Sequence, residues 1–255
     1  MSLDDFDLAA ELVRDAGKLA AQMLREGLIV EHKTSISDVV SAADHAAERL
    51  VVERLRAVRP GDAIVGEEGT ADAGEGRTWY VDPVDGTYNF LSGLPTWCAA
   101  LALDETVGAV YQPATDELWL GGRGRAATRN GTELPALKDR PLAEVSIATY
   151  LHPTTLADDS LRVPLLRAMQ GAATVRMLGS GSVELAAVAA SRLGASVQAD
   201  TLPWDWLPGA ALVRAAGGVA EVVETGGHRW HVAGSRQTVA EIGDRLRETP
   251  SGGLA

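Results

Sequence analysis

One segment of the chain reads Trp79-Tyr80-Val81-Asp82-Pro83-Val84-Asp85-Gly86-Thr87, a β-prone run that leads into two carboxylates three positions apart. Asp-Pro and Asp-Gly are both common turn formers, so these dipeptides alone predict an ordinary strand end. A second acidic cluster, Gly66-Glu67-Glu68-Gly69, follows another predicted strand. Repulsion between grouped carboxylates has to be relieved by solvent or by a metal ion. The two segments together therefore favour a metal site over a plain turn.

Magnesium suits such a cluster, because Mg²⁺ prefers carboxylate oxygens and completes its octahedron with waters and substrate oxygens. Gly86 and Thr87 offer backbone N–H groups for phosphate oxygens and a hydroxyl that can orient a water. Farther along, Asp205 follows Trp204 at the start of an apolar segment. A lone Asp in that place is more often a helix N-cap than a ligand, but the two roles are compatible.

The N-terminal half predicts two helices and then a mostly antiparallel sheet. Apolar residues recur at helical spacing from Leu3 to Glu26, with Ser2 and Asp5 at capping-box spacing and Gly27 as a stop. A second helix is predicted after Ser41, which is placed to cap it. This helix is predicted to end at Val58. Farther along, Asn130-Gly131 predicts a tight turn between two strands. The predicted strands are Ala63 to Val65, Thr78 to Val81, Trp97 to Leu103, Val107 to Tyr111 and Glu117 to Leu120.

In the C-terminal half, predicted strands alternate with predicted helices. The strands are Ser146 to Tyr150, Thr174 to Met177, Ala195 to Ala199 and Val219 to Val223, and the helices are Ser182 to Leu193, Leu207 to Ala216 and Thr238 to Arg247. Two prolines flank a charged stretch near residues 135–145. We therefore expect an N-terminal lobe, residues 1–140, with most of the metal ligands, and a C-terminal α/β lobe, residues 141–255, with Asp205 and the substrate contacts.

Composition excludes several classes of function. The chain has 255 residues, 46% of them hydrophobic, and a formal net charge of -12. This acidity argues against nonspecific attraction to nucleic acid or to an anionic membrane, which needs clustered Lys and Arg. A lone cysteine, Cys98, excludes an internal disulfide and predicts a small core residue. Because the sequence has no run of 18 apolar residues and no pattern of a secretory leader, we expect a cytoplasmic protein.

The order of these motifs resembles the inositol monophosphatase family, a branch of the lithium-sensitive, magnesium-dependent phosphatases. The resemblance covers nearly the whole chain and also includes Lys33 and the segment from Asp38 to Asp44, with Ser41 where the family usually has Thr. It implies an α+β or α/β fold, an alternating α-β-α-β-α layered sandwich with the site between the lobes. It also implies a homodimer and two or three Mg²⁺ ions per site.

The resemblance also implies roles for individual residues. Glu67, Asp82 and the carbonyl of Val84 match ligands of a first metal, and Asp82, Asp85 and Asp205 match ligands of a second. A third, weaker metal would lie near Glu67, with Lys33 and Asp38 as outer supports. Thr87, backed by Asp44, would polarise the attacking water together with Glu67. The implied reaction is in-line attack by activated water on a small phosphate monoester, without a covalent phosphoenzyme.

Substrate contacts are expected from Asp85, Gly86, Thr87, Ser180, Gly181 and Gln198. A flexible helix start explains the segment around Ser180 equally well. Gln198 departs from the family pattern, in which a Glu often binds inositol hydroxyls. The expected substrate is myo-inositol phosphate; histidinol phosphate, fructose 1,6-bisphosphate, a 3'-phosphoadenosine phosphate and a purely regulatory binding role are the alternatives. All five histidines are assigned to surface or structural roles.

Overall fold

The protein is described here by a computed structural model that covers residues 4–27, 30–32 and 39–248. Helix α1 spans Asp5–Glu26, and Gly27 (φ 83°) ends it as predicted. Its N-cap is Asp4, whose side chain accepts a hydrogen bond from Asp7 N, and not the predicted Ser2, which lies outside the described residues. The short hairpin of β1 (Val30–His32) and β2 (Val39–Ser41), missed from the sequence, leads directly into α2 (Ala42–Val58).

Eight strands form the larger sheet, and all but one neighbouring pair run antiparallel, as predicted. The strands are β3 (Ala63–Gly66), β4 (Ala71–Asp72), β5 (Thr78–Asp85), β6 (Cys98–Leu103), β7 (Val107–Gln112), β8 (Glu117–Gly122), β9 (Arg125–Arg129) and β10 (Thr132–Glu133). Their order is β10-β9-β8-β7-β6-β5-β3-β4, with β3 and β5 parallel. The predicted turn between β9 and β10 is present, with Asn130 and Gly131 both at positive φ.

The acidic motif is not the turn that its dipeptides predict. Strand β5 continues through Asp82 to Asp85, and its register against β6 shifts between these two residues. Such a bulge keeps the strand in the sheet while it re-aims side chains. The chain turns only at Gly86 (φ 97°), directly before the short helix α3 (Thr87–Leu91).

In the described residues after Glu133, a five-stranded sheet is combined with four α-helices. The strands are β11 (Ser146–Ala148), β12 (Thr174–Arg176), β13 (Ala195–Ala199), β14 (Val219–Thr225) and β15 (His228–Gly234), in the order β12-β11-β13-β15-β14. The helices are α4 (Asp159–Met169), α5 (Gly181–Ala189), α6 (Pro203–Ala215) and α7 (Arg236–Arg247). The sequence prediction missed β15 and also α4, which contains Pro164. It also began α6 four residues late, although Pro203 is a favourable first helical residue.

The elements stack in the predicted α-β-α-β-α order. Helices α1 and α2 cover one face of the larger sheet, and α5 and α6 lie between its other face and the smaller sheet. Helices α4 and α7 cover the outer face of the smaller sheet. Across the described residues, no helix is both long enough and apolar enough to span a bilayer. The division into lobes at residue 140 stays a prediction.

Candidate metal centre

A cavity of about 860 Å³ lies where residues from both halves of the chain meet. Its N-terminal side is lined by Glu67, Asp82 and residues 84–89, and its C-terminal side by the start of α5, Gln198 and Asp205. Segments that are far apart in sequence therefore contribute to one concave site. Such a cavity is large enough for a small ligand together with ions and waters.

Three aspartates come together at the bottom of this cavity. Asp82, Asp85 and Asp205 each offer a carboxylate oxygen, and these atoms lie within 4.8 Å of one another. Asp82 and Asp85 come from the bulged end of β5, and Asp205 comes from the first turn of α6. Glu67, just beyond the end of β3, lines the same cavity and interacts electrostatically with Asp205. The predicted acidic residues are thus brought together.

Burial and mutual repulsion disfavour the charged state of this cluster. Burial, followed by the charge of Asp205, raises the pKa of Glu67 to about 8. Burial and the charge of Asp85 raise the pKa of Asp205 to about 7. Burial and the charges of Glu67, Asp85 and Asp205 raise the pKa of Asp82 well above its usual range. Without a cation, the cluster would hold protons at neutral pH.

The cluster fits a divalent cation. Within the described part of the chain, Oδ2 of Asp82 is buried and has no hydrogen-bond donor, while Oδ1 accepts from Val84 N at 3.1 Å. The described lining of the cavity contains neither Lys nor Arg that could neutralise the carboxylates. An all-oxygen donor set of this kind suits a hard ion such as Mg²⁺.

Asp85 is held by the N-terminus of α5. Its carboxylate accepts hydrogen bonds from the backbone N–H groups of Gly181 (3.2 Å) and Ser182 (2.5 Å). Ser180 is the N-cap of this helix and accepts a hydrogen bond from Val183 N, so the start of the helix is capped by its own side chain. Hydrogen bonds of this kind fix the direction in which a carboxylate points. Burial still raises the pKa of Asp85.

Asp205 is not the N-cap of its helix. The N-cap of α6 is Leu202, and Asp205 is the third helical residue. From there its carboxylate accepts a hydrogen bond from the backbone N–H of Leu202, as the third residue of a capping box does. Asp205 therefore has a capping contact and also faces the aspartate cluster.

The residues that follow the bulge have specific local contacts. The Thr87 hydroxyl donates to the carbonyl oxygen of Val84 at 3.0 Å, so two groups predicted to act in the site contact each other. Gly86 needs its left-handed conformation and also space, because a Cβ there would lie 3.0 Å from the carbonyl oxygen of Gly179. Asp44 is buried in the first turn of α2. Lys33 and Asp38 lie outside the described residues.

The C-terminal wall includes groups that the sequence left unassigned. Gln198, on β13, lines the cavity together with Tyr150 and His152. His152, which the sequence analysis assigned to a surface or structural role, caps the short 3-10 helix Pro153–Thr155 and also forms part of the cavity wall. Isolated His and Tyr residues in a loop carry no spacing signal that could have identified them. Cys98 is buried as predicted, and its Sγ lies 3.9 Å from Oδ2 of Asp85.

Two buried glutamates on helices were also missed. Glu184 of α5 lines the cavity and accepts from Leu178 N at 2.7 Å, and burial raises its pKa to about 8. Glu48 of α2 accepts hydrogen bonds from residues 68 and 70, next to Glu67. Both side chains are almost completely buried. At helical positions such glutamates are usually solvent-facing, so only the tertiary structure reveals them.

The amino-acid sequence of this chain is similar to those of known phosphatases. A model described as the inositol monophosphatase family matches residues 3–247. Inositol-1-monophosphatase of Rhizobium meliloti is 37% identical over 229 residues, which are 87% of this chain and 84% of that protein. Inositol-1-monophosphatase of Bacillus subtilis is 32% identical over 228 residues, 86% of this chain and 85% of that protein.

A solved structure shows the same fold. The extragenic suppressor protein suhB from Bartonella henselae superposes with a TM-score of 0.84 at 27% sequence identity. The superposition covers 96% of this chain and 98% of that one. The two chains therefore share the whole layered architecture, and not only the lobe that carries the acidic motif.

Proposed function

Because this chain belongs to the inositol monophosphatase family, we propose that it hydrolyses myo-inositol monophosphate to myo-inositol and phosphate with Mg²⁺ as its cofactor. It is a phosphoric monoester hydrolase. The convergence of Asp82, Asp85 and Asp205 within 4.8 Å, in a cavity shared with Glu67, is the observation that carries the proposal. The family relationship alone would leave the substrate of this chain open.

Glu67, Asp82, Asp85, Asp205 and the carbonyl of Val84 would hold two or three magnesium ions. Bound there, the ions would make a water a good nucleophile near neutral pH and offset charge on the departing oxygen. Glu67 would take the proton of the attacking water, Thr87, backed by Asp44, would orient that water, and the departing alkoxide would take a proton from solvent. The backbone N–H groups of Gly86 and Thr87 hold phosphate oxygens in line for attack. Lithium should inhibit the enzyme by competing for the second metal position.

The organic half of the substrate would lie against the C-terminal wall. Ser180, Gly181 and Gln198 line this wall. The Ser180 hydroxyl and the Gly181 N–H already contact Val183 N and Asp85, so Gln198 would supply the polar group for substrate hydroxyls. His152 is the one basic side chain in the described lining, so a second, non-reacting phosphate would find no Lys or Arg partner among these residues. This favours inositol monophosphate over fructose 1,6-bisphosphate and 3'-phosphoadenosine phosphate. A regulatory role without catalysis is disfavoured, since all the acidic groups of the site are retained.

A phosphate-release assay over a substrate panel tests the proposal. We expect inositol 1-phosphate to give a higher kcat/KM than fructose 1,6-bisphosphate, 3'-phosphoadenosine phosphate or histidinol phosphate, with Mg²⁺ required in every case. A preference for one of the other esters would redirect the substrate assignment and leave the chemistry intact. Release of phosphate from none of them would contradict the proposed function.

We further propose that the enzyme is a homodimer. Strand β12 is an edge strand, and Val175 and the nearby Met177 are exposed large apolar side chains. Exposed apolar groups at a sheet edge favour coverage by another chain. Light scattering coupled to size-exclusion chromatography should give twice the mass of one chain, and Val175→Lys should shift the protein towards monomer. A monomeric wild type would contradict the proposal.

A further inference from the structure

Helix α2 contributes a buried carboxylate that contacts no reacting group described above. Glu48 is only 4% exposed. One of its oxygens accepts from Glu68 N at 2.8 Å, and the other accepts from Thr70 N at 3.2 Å and from the Thr70 hydroxyl at 2.6 Å. Three donors from a single turn thus converge on one side chain. Burying a carboxylate is costly unless such donors compensate for the lost water.

The turn that Glu48 binds is the one that carries Glu67. It starts at Gly66, the last residue of β3, and is closed by a hydrogen bond from Gly66 N to Thr70 O at 2.8 Å. Glu67 N donates to Val81 O at 3.1 Å, which continues the pairing with β5. The backbone of Glu67 is therefore held on one side by the sheet, and the residues directly after it are held by Glu48.

Gly66 leaves the space that Glu48 occupies. A Cβ at Gly66 would lie 2.4 Å from Oε2, 2.5 Å from Cδ and 2.7 Å from Oε1 of Glu48. Gly66 does not have a positive φ, so its backbone conformation does not require glycine. The three atoms that a side chain at Gly66 would meet first all belong to the Glu48 carboxylate, which packs against this Cα. The two residues form a matched pair.

We infer that Glu48 is a positioning residue that fixes turn 66–70 and, through it, the direction in which the Glu67 carboxylate enters the metal cluster. The inference rests on the proposed function, in which Glu67 is a metal ligand and acts on the attacking water. Partners that orient ligands commonly change metal affinity or activity by about 10-fold or more when removed. Glu48 would act in this way through the backbone, without contacting substrate.

A double-mutant cycle separates positioning from simple stability. Wild type, Glu48→Ala, Gly66→Ala and the double variant are stripped with EDTA and titrated with Mg²⁺ by calorimetry, and their Tm and kcat are measured. We expect each single variant to bind Mg²⁺ about 10-fold more weakly. The double variant should bind no more weakly than Glu48→Ala, because the added methyl group then has space. Val51→Ala, in the core-facing side of the same helix, is the control: it should lower Tm but not Mg²⁺ affinity.

The outcomes are distinct from those that test the proposed function. Single variants that lose Tm but bind Mg²⁺ like wild type would overturn the inference, as would losses in affinity that simply add in the double variant. If Glu48→Ala does not fold, Glu48→Gln keeps the size of the side chain and one acceptor, and should show a smaller loss in the same direction. If the wild type binds Mg²⁺ but releases no phosphate, the proposed function is refuted, but the double-mutant cycle can still be measured through Mg²⁺ affinity.

Discussion

Asp85 accepts a hydrogen bond of 2.5 Å from the backbone N–H of Ser182, a residue 97 positions later in the chain. The Gly181 N–H donates to the same carboxylate at 3.2 Å. The acidic strand β5 and the N-terminus of α5 are thus joined at a single side chain. Because the helix N-terminus carries partial positive charge, it stabilises the ionised form in which Asp85 can bind a cation.

Gly181→Pro should therefore weaken Mg²⁺ binding more than Gly181→Ala does. Proline is tolerated at the first helical position, and Ser180 before it is already extended, but the ring removes the N–H donor to Asp85. Alanine keeps this donor, and its Cβ would meet its nearest neighbour at an ordinary 3.5 Å. A lost bond to a carboxylate corresponds to about a 10-fold difference in affinity. Equal Mg²⁺ affinities by calorimetry would show that this contact does not matter.

The metal-free protein should lose stability as pH rises. The pKa values of about 8 for Glu67 and about 7 for Asp205 are raised above those of the unfolded chain. Between about pH 4.5 and about 8, the folded state therefore binds more protons, and the free energy of unfolding falls with increasing pH. Tm measured in EDTA should decrease across this range, and added Mg²⁺ should restore it most at high pH. A Tm in EDTA that rises with pH would contradict the description of the cluster.

Glu184 should matter through the loop that it binds. Its carboxylate accepts from Leu178 N at 2.7 Å, and this loop continues into the helix start that contacts Asp85. Glu184→Ala should lower kcat/KM by about 10-fold or more, whereas Glu184→Gln keeps one acceptor and should lose less. Val188→Ala, buried on the same helix, is the control for lost packing. If the three variants lose activity only in proportion to their Tm, Glu184 is structural.

Gln198→Glu should improve the use of polyol esters. A carboxylate accepts hydrogen bonds from two adjacent hydroxyls, whereas the amide offers one acceptor and one donor group. We expect kcat/KM for inositol 1-phosphate to rise relative to that for glycerol 2-phosphate. The change in this ratio should correspond to a difference in activation free energy of roughly 1 to 3 kcal/mol. Both constants are measured at saturating Mg²⁺. An unchanged ratio would mean that Gln198 does not contact the substrate.

Local sequence patterns predicted most of the helices and strands and the acidic cluster, and the resemblance to a known family implied the order of the layers, but neither predicted the geometry between them. Helix α1 and the larger sheet follow from hydrophobic periodicity and from turn residues such as Asn130. The bulge between Asp82 and Asp85 could not be read, because Asp-Pro and Asp-Gly favour a turn unless a neighbouring strand holds the chain extended. Pairing with β6 keeps residues 82–85 in an extended strand, although their dipeptides favour a turn.

The supporting residues were hidden for a different reason. Glu48 and Glu184 stand at helical positions where glutamate is common, and nothing near them in sequence marks them as buried. Their donors are backbone N–H groups, which have no sequence signature. Long-range contacts between a helix side chain and a loop backbone become visible only when the fold is known.

Magnesium titration of EDTA-stripped wild type and Asp82→Asn, with phosphate release followed in the same samples, tests the central claim most directly. We predict that wild type binds two or three ions and gains activity as they bind. Asp82→Asn should bind Mg²⁺ poorly and stay inactive, yet be at least as stable in EDTA at high pH, where it replaces a buried carboxyl group that would otherwise become charged beside other carboxylates. Undiminished phosphate release in EDTA, or wild-type Mg²⁺ affinity in Asp82→Asn, would contradict the account.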